Sequence, residues 1–265
     1  MPEGLSHTDL VVLSPRKLVE TLAGKYGISS EDLRLPDTAI VTPVYPLYKR
    51  LVRVFKGEPL KAWAWKHPPF SGFNSGGDGI RQGVIVCCPM GAPNVAMSLE
   101  ELSVFGVRSF FFLGFSGGIG AGGKPGDLVI PPYARVGEGT SRYYGGGPFS
   151  FPERQLYETL KRGMVNEGIN FVHTFPVYTT DALYQETGGM IRKLLNLGIG
   201  GIDMETSAFF SVCKALSVRA VAVLWISDHL TLDRWKPYFY EPSFKRAVST
   251  HLKAFQRWLL TADLK

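Results

Sequence analysis

GIDMETSAFFSVCKALSVRAVAVLWISDHL, residues Gly201–Leu230, sets two acidic signals at the outer ends of one helix and one strand. Ala208, Phe209, Val212, Ala215 and Leu216 recur at helical spacing and make one apolar face. Asp203-Met204-Glu205 precedes that face, which puts Glu205 at or near a helix N-terminus, where the helix dipole favours a carboxylate. Val218–Ile226 is apolar and β-branched, the pattern of a buried parallel strand. Ser227-Asp228-His229 follows, so Asp228 is expected at the carboxyl end of a strand, the edge that faces the ligand crevice in open α/β sheets. Each acid taken alone also fits a plain role: a helix cap for Asp203 and Glu205, turn chemistry for Ser227-Asp228. Two of them reaching one sheet edge, with Met204 between the first pair, favours a binding site.

The chain has 265 residues, of which 45% are hydrophobic, enough for one large α/β domain spanning 1–265. MPEGLSHTDL lacks the basic start and apolar stretch of a signal peptide, and no apolar run approaches the ~20 residues that cross a bilayer. A soluble, cytoplasmic protein is therefore expected. The three cysteines, Cys87, Cys88 and Cys213, form neither a disulfide framework nor a CxxC pair, and the five histidines make no HxH or HExxH pattern. No metal and no organic cofactor are expected. The formal net charge is +6, but the basic residues form no run and match no nucleic-acid module, so anionic small molecules are the expected partners.

Outward from the central stretch, strands and helices alternate. Residues 1–37 read as a polar N-terminal extension with a helix from Pro15 to about Lys25, capped by Ser14. Thr38–Val44 reads as a strand and Tyr48–Phe55 as a helix. Lys61–Gly83 reads as aromatic, strand-like alternation followed by a Gly/Ser/Asn loop at Ser71–Gly79. Gly83–Cys88 is a strand, and a helix bearing Val95, Leu99 and Leu102 runs to Gly106. Ser109–Phe115 is a further strand, and Ser116-Gly117-Gly118-Ile119-Gly120 reads as a glycine-rich turn able to offer backbone N–H groups to an anion. A long strand is expected over Phe171–Thr180, a short helix near Met190–Leu197, and a solvated amphipathic helix over Ser243–Leu260.

With these residues in view, VIVCCPMGAPNVAMSLEELSVFGVRSFFFLGFSGGIG resembles the core of the nucleoside phosphorylase superfamily, in the branch of uridine phosphorylases and hexameric purine nucleoside phosphorylases. GDLVIP, EGTSRYY, TTDALY, GIDMETSA and the strand before SDH follow in the same order, and the resemblance runs from about Ala39 to Leu230. It implies a three-layer α/β/α fold with a mixed, partly barrel-like sheet, a homo-oligomer built on dimers or extended to a hexamer, and ribosyl C–N cleavage with phosphate as co-substrate. It implies that Met204 and Glu205 hold the ribose, with His7 as a candidate for the 5′ side. Leu183, Tyr184 and Asp203 fall with the base contacts, and Asp228 is the acid for the leaving base, which favours purines.

The departures concern phosphate. Thr42-Pro43-Val44-Tyr45-Pro46 stands where the family has a Gly-Asp-Pro loop, Phe112 where it has an arginine, and Phe115 where it has Ser or Thr. Ser116 and Gly117, with Arg50 and Arg142, are the residues left to hold phosphate; Arg135 is a further candidate. No arginine follows Tyr184-Gln185-Glu186 at the spacing of a uridine reader. A nucleoside phosphorylase with weak phosphate affinity is the expected function; a nucleosidase of the same fold that uses water and a nucleoside-binding protein with little turnover are the alternatives.

Overall fold

The computed structural model describes residues 12–74, 82–169 and 172–264. His7 lies outside them. In chain order the helices are α1 (Pro15–Gly24), α2 (Tyr45–Phe55), α3 (Ala92–Val104), α4 (Arg154–Asn166), α5 (Gly188–Asn196), α6 (Thr206–Ala215) and α7 (Pro242–Thr261). The strands of the first half are β1 (Thr38–Thr42), β2 (Glu58–Pro59), β3 (Ser71–Asn74), β4 (Gln82–Cys87), β5 (Ser109–Ile119), β6 (Leu128–Val129), β7 (Ala134–Gly137) and β8 (Phe149–Ser150). Those of the second half are β9 (Val172–His173), β10 (Val177–Thr180), β11 (Gly201–Asp203), β12 (Arg219–Leu230) and β13 (Trp235–Pro237).

One mixed sheet runs β2-β3-β4-β1-β5-β11-β10-β7-β8, and β12 pairs with β5, β6 and β13. Its axis is β5. The first half of β5 pairs in parallel with β1, its last residues pair antiparallel with β11, and β12 follows it in parallel from Ser109 to Ile119. A strand that changes partner along its length bends the sheet toward a barrel, as the resemblance implies.

Alternation along β5 and β12 explains the three layers. Phe110, Phe112, Ala220, Ala222 and Leu224 pack to one face with α1, α3 and α6. Phe111, Leu113, Val221, Val223 and Trp225 pack to the other with α2, α4 and α7. A strand buried on both sides has no polar face to show, which is why SFFFL and AVAVLWI read as continuous apolar runs. No helix of the described residues is long and apolar enough to cross a membrane.

Four local expectations change. The first strand stops at Thr42 and the next helix starts at Tyr45, with Pro46 in its first turn, where the missing N–H is harmless. The aromatic stretch does not alternate as one strand: Lys61–Trp63 is a 3-10 turn, and Trp63 is buried and stacks on Phe70 with centroids 4.7 Å apart. Phe171, the first residue of the expected strand Phe171–Thr180, lies outside the described residues, and the rest of that stretch holds two short strands, β9 and β10. Ser116–Ile119 is strand rather than turn. Gly117 pairs with Asp228 on one side and Ile202 on the other, and its lack of a side chain makes room, since a Cβ there would meet Leu230 Cδ1 at 2.6 Å and Asp228 Oδ2 at 3.0 Å.

Candidate active site

β11 ends at Asp203, and the chain turns through Met204 and Glu205 into α6. Glu205 is 4% exposed. Its Oε1 accepts the Gly91 N–H at 2.8 Å, and its Oε2 accepts the Met204 N–H at 3.3 Å. Gly91 sits at φ 102°, a backbone state that disfavours any side chain, so the turn before α3 can aim its N–H at Glu205. Burial raises the Glu205 pKa and the neighbouring Asp203 charge raises it further, while the two N–H groups oppose both. Met204 is half-buried beside it.

Asp203 is spent on structure. Its carboxylate accepts from the Thr179 hydroxyl at 2.7 Å, from the Thr206 N–H at 3.3 Å and from the Thr206 hydroxyl. Burial raises its pKa, and these hydrogen bonds oppose the rise. Thr179 accepts in turn from the Ser207 N–H at 2.9 Å, so β10, β11 and the first turn of α6 are tied together beneath Glu205. A third buried acid, Glu138, completes the support. It accepts from the Ser141 N–H at 3.0 Å, from the Ser141 hydroxyl and from the Ser207 hydroxyl at 2.8 Å. In the sequence Glu138 only opens the EGTSRYY motif; its nearness to α6 in space gives it this role.

Asp228 lies within β12 rather than beyond its end, after an irregularity between Ile226 and Asp228 that shifts the register. Such a bulge re-aims the side chains that follow it. Asp228 Oδ1 accepts from the Ser227 hydroxyl at 2.6 Å, and Oδ2 from the Trp235 indole N–H at 2.8 Å. No sequence motif marks Trp235, which reaches Asp228 because β13 folds back antiparallel on β12. Ile202 and Asp228 both pair with Gly117, one on each side. With neighbouring strands ~4.8 Å apart, the two acid-bearing segments stand roughly 10 Å apart across β5.

Leu183 and Tyr184 lie on a 3-10 turn, Leu183–Gln185, and are 45% and 96% exposed. The residue after that turn, Glu186, is half-buried. Its pKa is pushed up to about 7 by burial, with the Asp228 charge adding.

Of the residues expected to hold phosphate, Ser116 and Arg50 make hydrogen bonds within the fold. The two ladders that flank Gly117 direct its backbone into the sheet plane, and the Ser116 hydroxyl donates to the Ile202 carbonyl at 2.9 Å. Arg50 donates to the Lys245 carbonyl at 3.0 Å and the Ser249 hydroxyl at 3.2 Å, joining α2 to α7. Arg142 is exposed on the 3-10 turn Thr140–Tyr144, and Arg135 lies over the Phe149 ring at 5.4 Å. Phe112 is fully buried against Phe209, with centroids 5.3 Å apart, and Phe115 packs edge-on to Phe244 at 5.2 Å.

A family model described as the phosphorylase superfamily matches residues 76–257. Among curated proteins, the chain is 28% identical over 149 residues to a guanosine phosphorylase of Halorubrum lacusprofundi, a match covering 56% of this chain and 61% of that one. It is 29% identical over 145 residues to a DeoD-type purine nucleoside phosphorylase of Bacillus cereus, covering 53% and 61%. The chain thus spans about 61% of the length of these relatives. An AMP nucleosidase structure from Bacteroides thetaiotaomicron superposes with TM-score 0.66 at 22% identity, covering 92% of this chain and 98% of that one. A uridine phosphorylase structure from Vibrio fischeri superposes with TM-score 0.69 at 19% identity, covering 86% and 91%. The two superpositions establish a common fold.

Proposed function

The chain belongs to the phosphorylase superfamily, and we propose that it cleaves the N-glycosidic bond of a nucleoside, with purine nucleosides favoured. The observation that carries this reading is Glu205. A buried carboxylate, held by the Gly91 and Met204 N–H groups at the start of α6, is suited to accept hydrogen bonds from the ribose hydroxyls. Breaking the C–N bond develops positive charge on the sugar ring and negative charge on the base. When ionised, the fixed Glu205 carboxyl favours that cation electrostatically, and the positive charge growing on the sugar in turn favours its ionised form. In this reading Asp228, across β5 from Glu205, stands at the end where the base departs, and Leu183 and Tyr184 frame the base.

Two nucleophiles are open to such a site. Phosphate is the co-substrate of the phosphorylases that this chain is similar to. A second reading, hydrolysis, is favoured by Phe112 and Phe115, which fill with core side chains the places of the family's phosphate contacts. The hydrogen bonds of Arg50 to α7 support it further. Of the two, these residues favour water. The test measures base release from inosine, adenosine and uridine with and without phosphate, and identifies the sugar product. Free ribose at an unchanged rate without phosphate supports hydrolysis. Ribose 1-phosphate formed only with phosphate restores phosphorolysis, and release from none of the three overturns the proposal.

A further inference from the structure

Cleavage of the ribosyl C–N bond sends the bonding pair into the base, and an acid at that position speeds departure. Asp228 stands there, yet each of its oxygens already accepts a hydrogen bond, from Ser227 at 2.6 Å and Trp235 at 2.8 Å. An indole N–H can only donate, so Oδ2 is an acceptor.

Backbone packing brings the segment that holds Glu186 against the strand pair that holds Asp228. A Cβ at Gly188 would lie 2.2 Å from the Leu232 carbonyl oxygen. Ile191 and Leu194 of α5 share an apolar cluster with Leu230 of β12. The start of α5 is thereby clamped to the β12–β13 turn, and Glu186 stands two residues before Gly188. Glu186 also closes the Leu183–Gln185 turn that frames the base in the reading above.

We infer that Glu186 is a catalytic residue of this site, the acid that protonates the departing base, while Asp228, anchored by Ser227 and Trp235, remains an acceptor beside it. The inference rests on the nucleoside-cleaving reading. In the step, the C1′–N bond breaks, its electron pair passes to the base, and the Glu186 proton moves to a base ring nitrogen. The nucleophile's oxygen bonds C1′; when the nucleophile is water it releases a proton to solvent, and Glu186, left as a carboxylate, takes one up from solvent. Burial and the Asp228 charge together hold a proton on Glu186 up to about pH 7, the range in which a general acid is effective. A protonated carboxyl beside a hydrogen-bond acceptor lets the pair divide acid and acceptor roles.

The test compares wild type with Glu186→Gln and Glu186→Asp on inosine and on 4-nitrophenyl riboside, whose leaving group departs without an acid. Thermal melts of each variant check folding. Glu186→Gln is expected to slow inosine cleavage by about 100-fold or more and the nitrophenyl substrate by less than about fivefold. The fall in the inosine rate above about pH 7 should vanish in Glu186→Gln and persist in Glu186→Asp. Equal losses on both substrates, or an unchanged high-pH fall in Glu186→Gln, would overturn the inference. A wild type active on both substrates keeps the nucleoside reading in either case; a wild type inert on both overturns that reading and this inference with it.

Discussion

In its proposed role, Glu205 joins binding and stability in one side chain. Glu205→Ala removes the acceptor for the sugar and leaves the Gly91 N–H unpaired; losing a hydrogen bond to a charged group costs about 1.5–3 kcal/mol, a fall in kcat/KM of about ten- to 100-fold. Near-normal turnover by a folded variant would remove Glu205 from the site. Its raised pKa also has a sign for stability. Across the pH range between an ordinary carboxylate and the raised folded value, the unfolded chain has released this proton and the folded chain has not. Stability therefore falls as pH rises through that range. Glu205→Gln lacks this loss, so its melting temperature should gain on that of wild type from about pH 5 to about pH 8. A constant difference would show that Glu205 titrates normally. Asp228→Asn removes the charge that raises the Glu186 pKa, so the high-pH fall in rate should begin at lower pH and inosine cleavage should slow more than nitrophenyl riboside cleavage. Equal slowing of both substrates would leave Asp228 a role in positioning alone.

At the scale of elements, the site depends on how closely β5, β11 and β12 approach. Gly117 is a glycine for space: an added methyl would press on Leu230 Cδ1 at 2.6 Å and on the Asp228 carboxylate at 3.0 Å. Leu230 can yield, so Gly117→Ala should fold with a loss of about 1–3 kcal/mol while shifting Asp228 and lowering kcat by about tenfold or more. An unchanged kcat would show that Asp228 need not sit where β5 holds it. Gly122 differs, because its Cβ would meet the Gly200 carbonyl oxygen at 1.8 Å, a backbone atom that cannot swing away. Gly122→Ala should unfold at a distinctly lower temperature than Gly117→Ala, read by calorimetry. The β12–β13 hairpin supplies Trp235, and Trp235→Phe keeps the ring while deleting the N–H that holds Asp228 Oδ2. Inosine kcat should fall by roughly tenfold, about the worth of one hydrogen bond to a charged acceptor in a half-exposed site. No change in kcat would mean that Ser227 alone anchors Asp228.

For the whole molecule, one sheet serves both the core and the site. The apolar faces of β5 and β12 bury two helical layers, and the same two strands carry Gly117 and Asp228 at their carboxyl ends. The order of elements was legible in the chain because an amphipathic helix and a doubly buried strand each leave a periodic trace, as in Ala208–Leu216 and Val218–Ile226. Glu205 was legible for the same reason, since it stands where a strand hands over to a helix. Ser116–Ile119 was misread because glycines mark both turns and close strand approach, and local sequence does not separate the two. Glu138 and Trp235 left no local trace: Glu138 takes its part through the Ser207 hydroxyl, 69 residues along the chain, and Trp235 takes its part because β13 folds back on β12. Phe112 and Phe115 show the converse. The sequence showed that the usual phosphate contacts are missing, but only packing against Phe209 and Phe244 shows core side chains in their place. By itself the sequence determined the superfamily and the order of layers, because these follow from the order of motifs and from periodicity. The tertiary structure decided which carboxylates are spent on support and which face the site, because a hydrogen-bond partner is set by distance in space and not by distance along the chain.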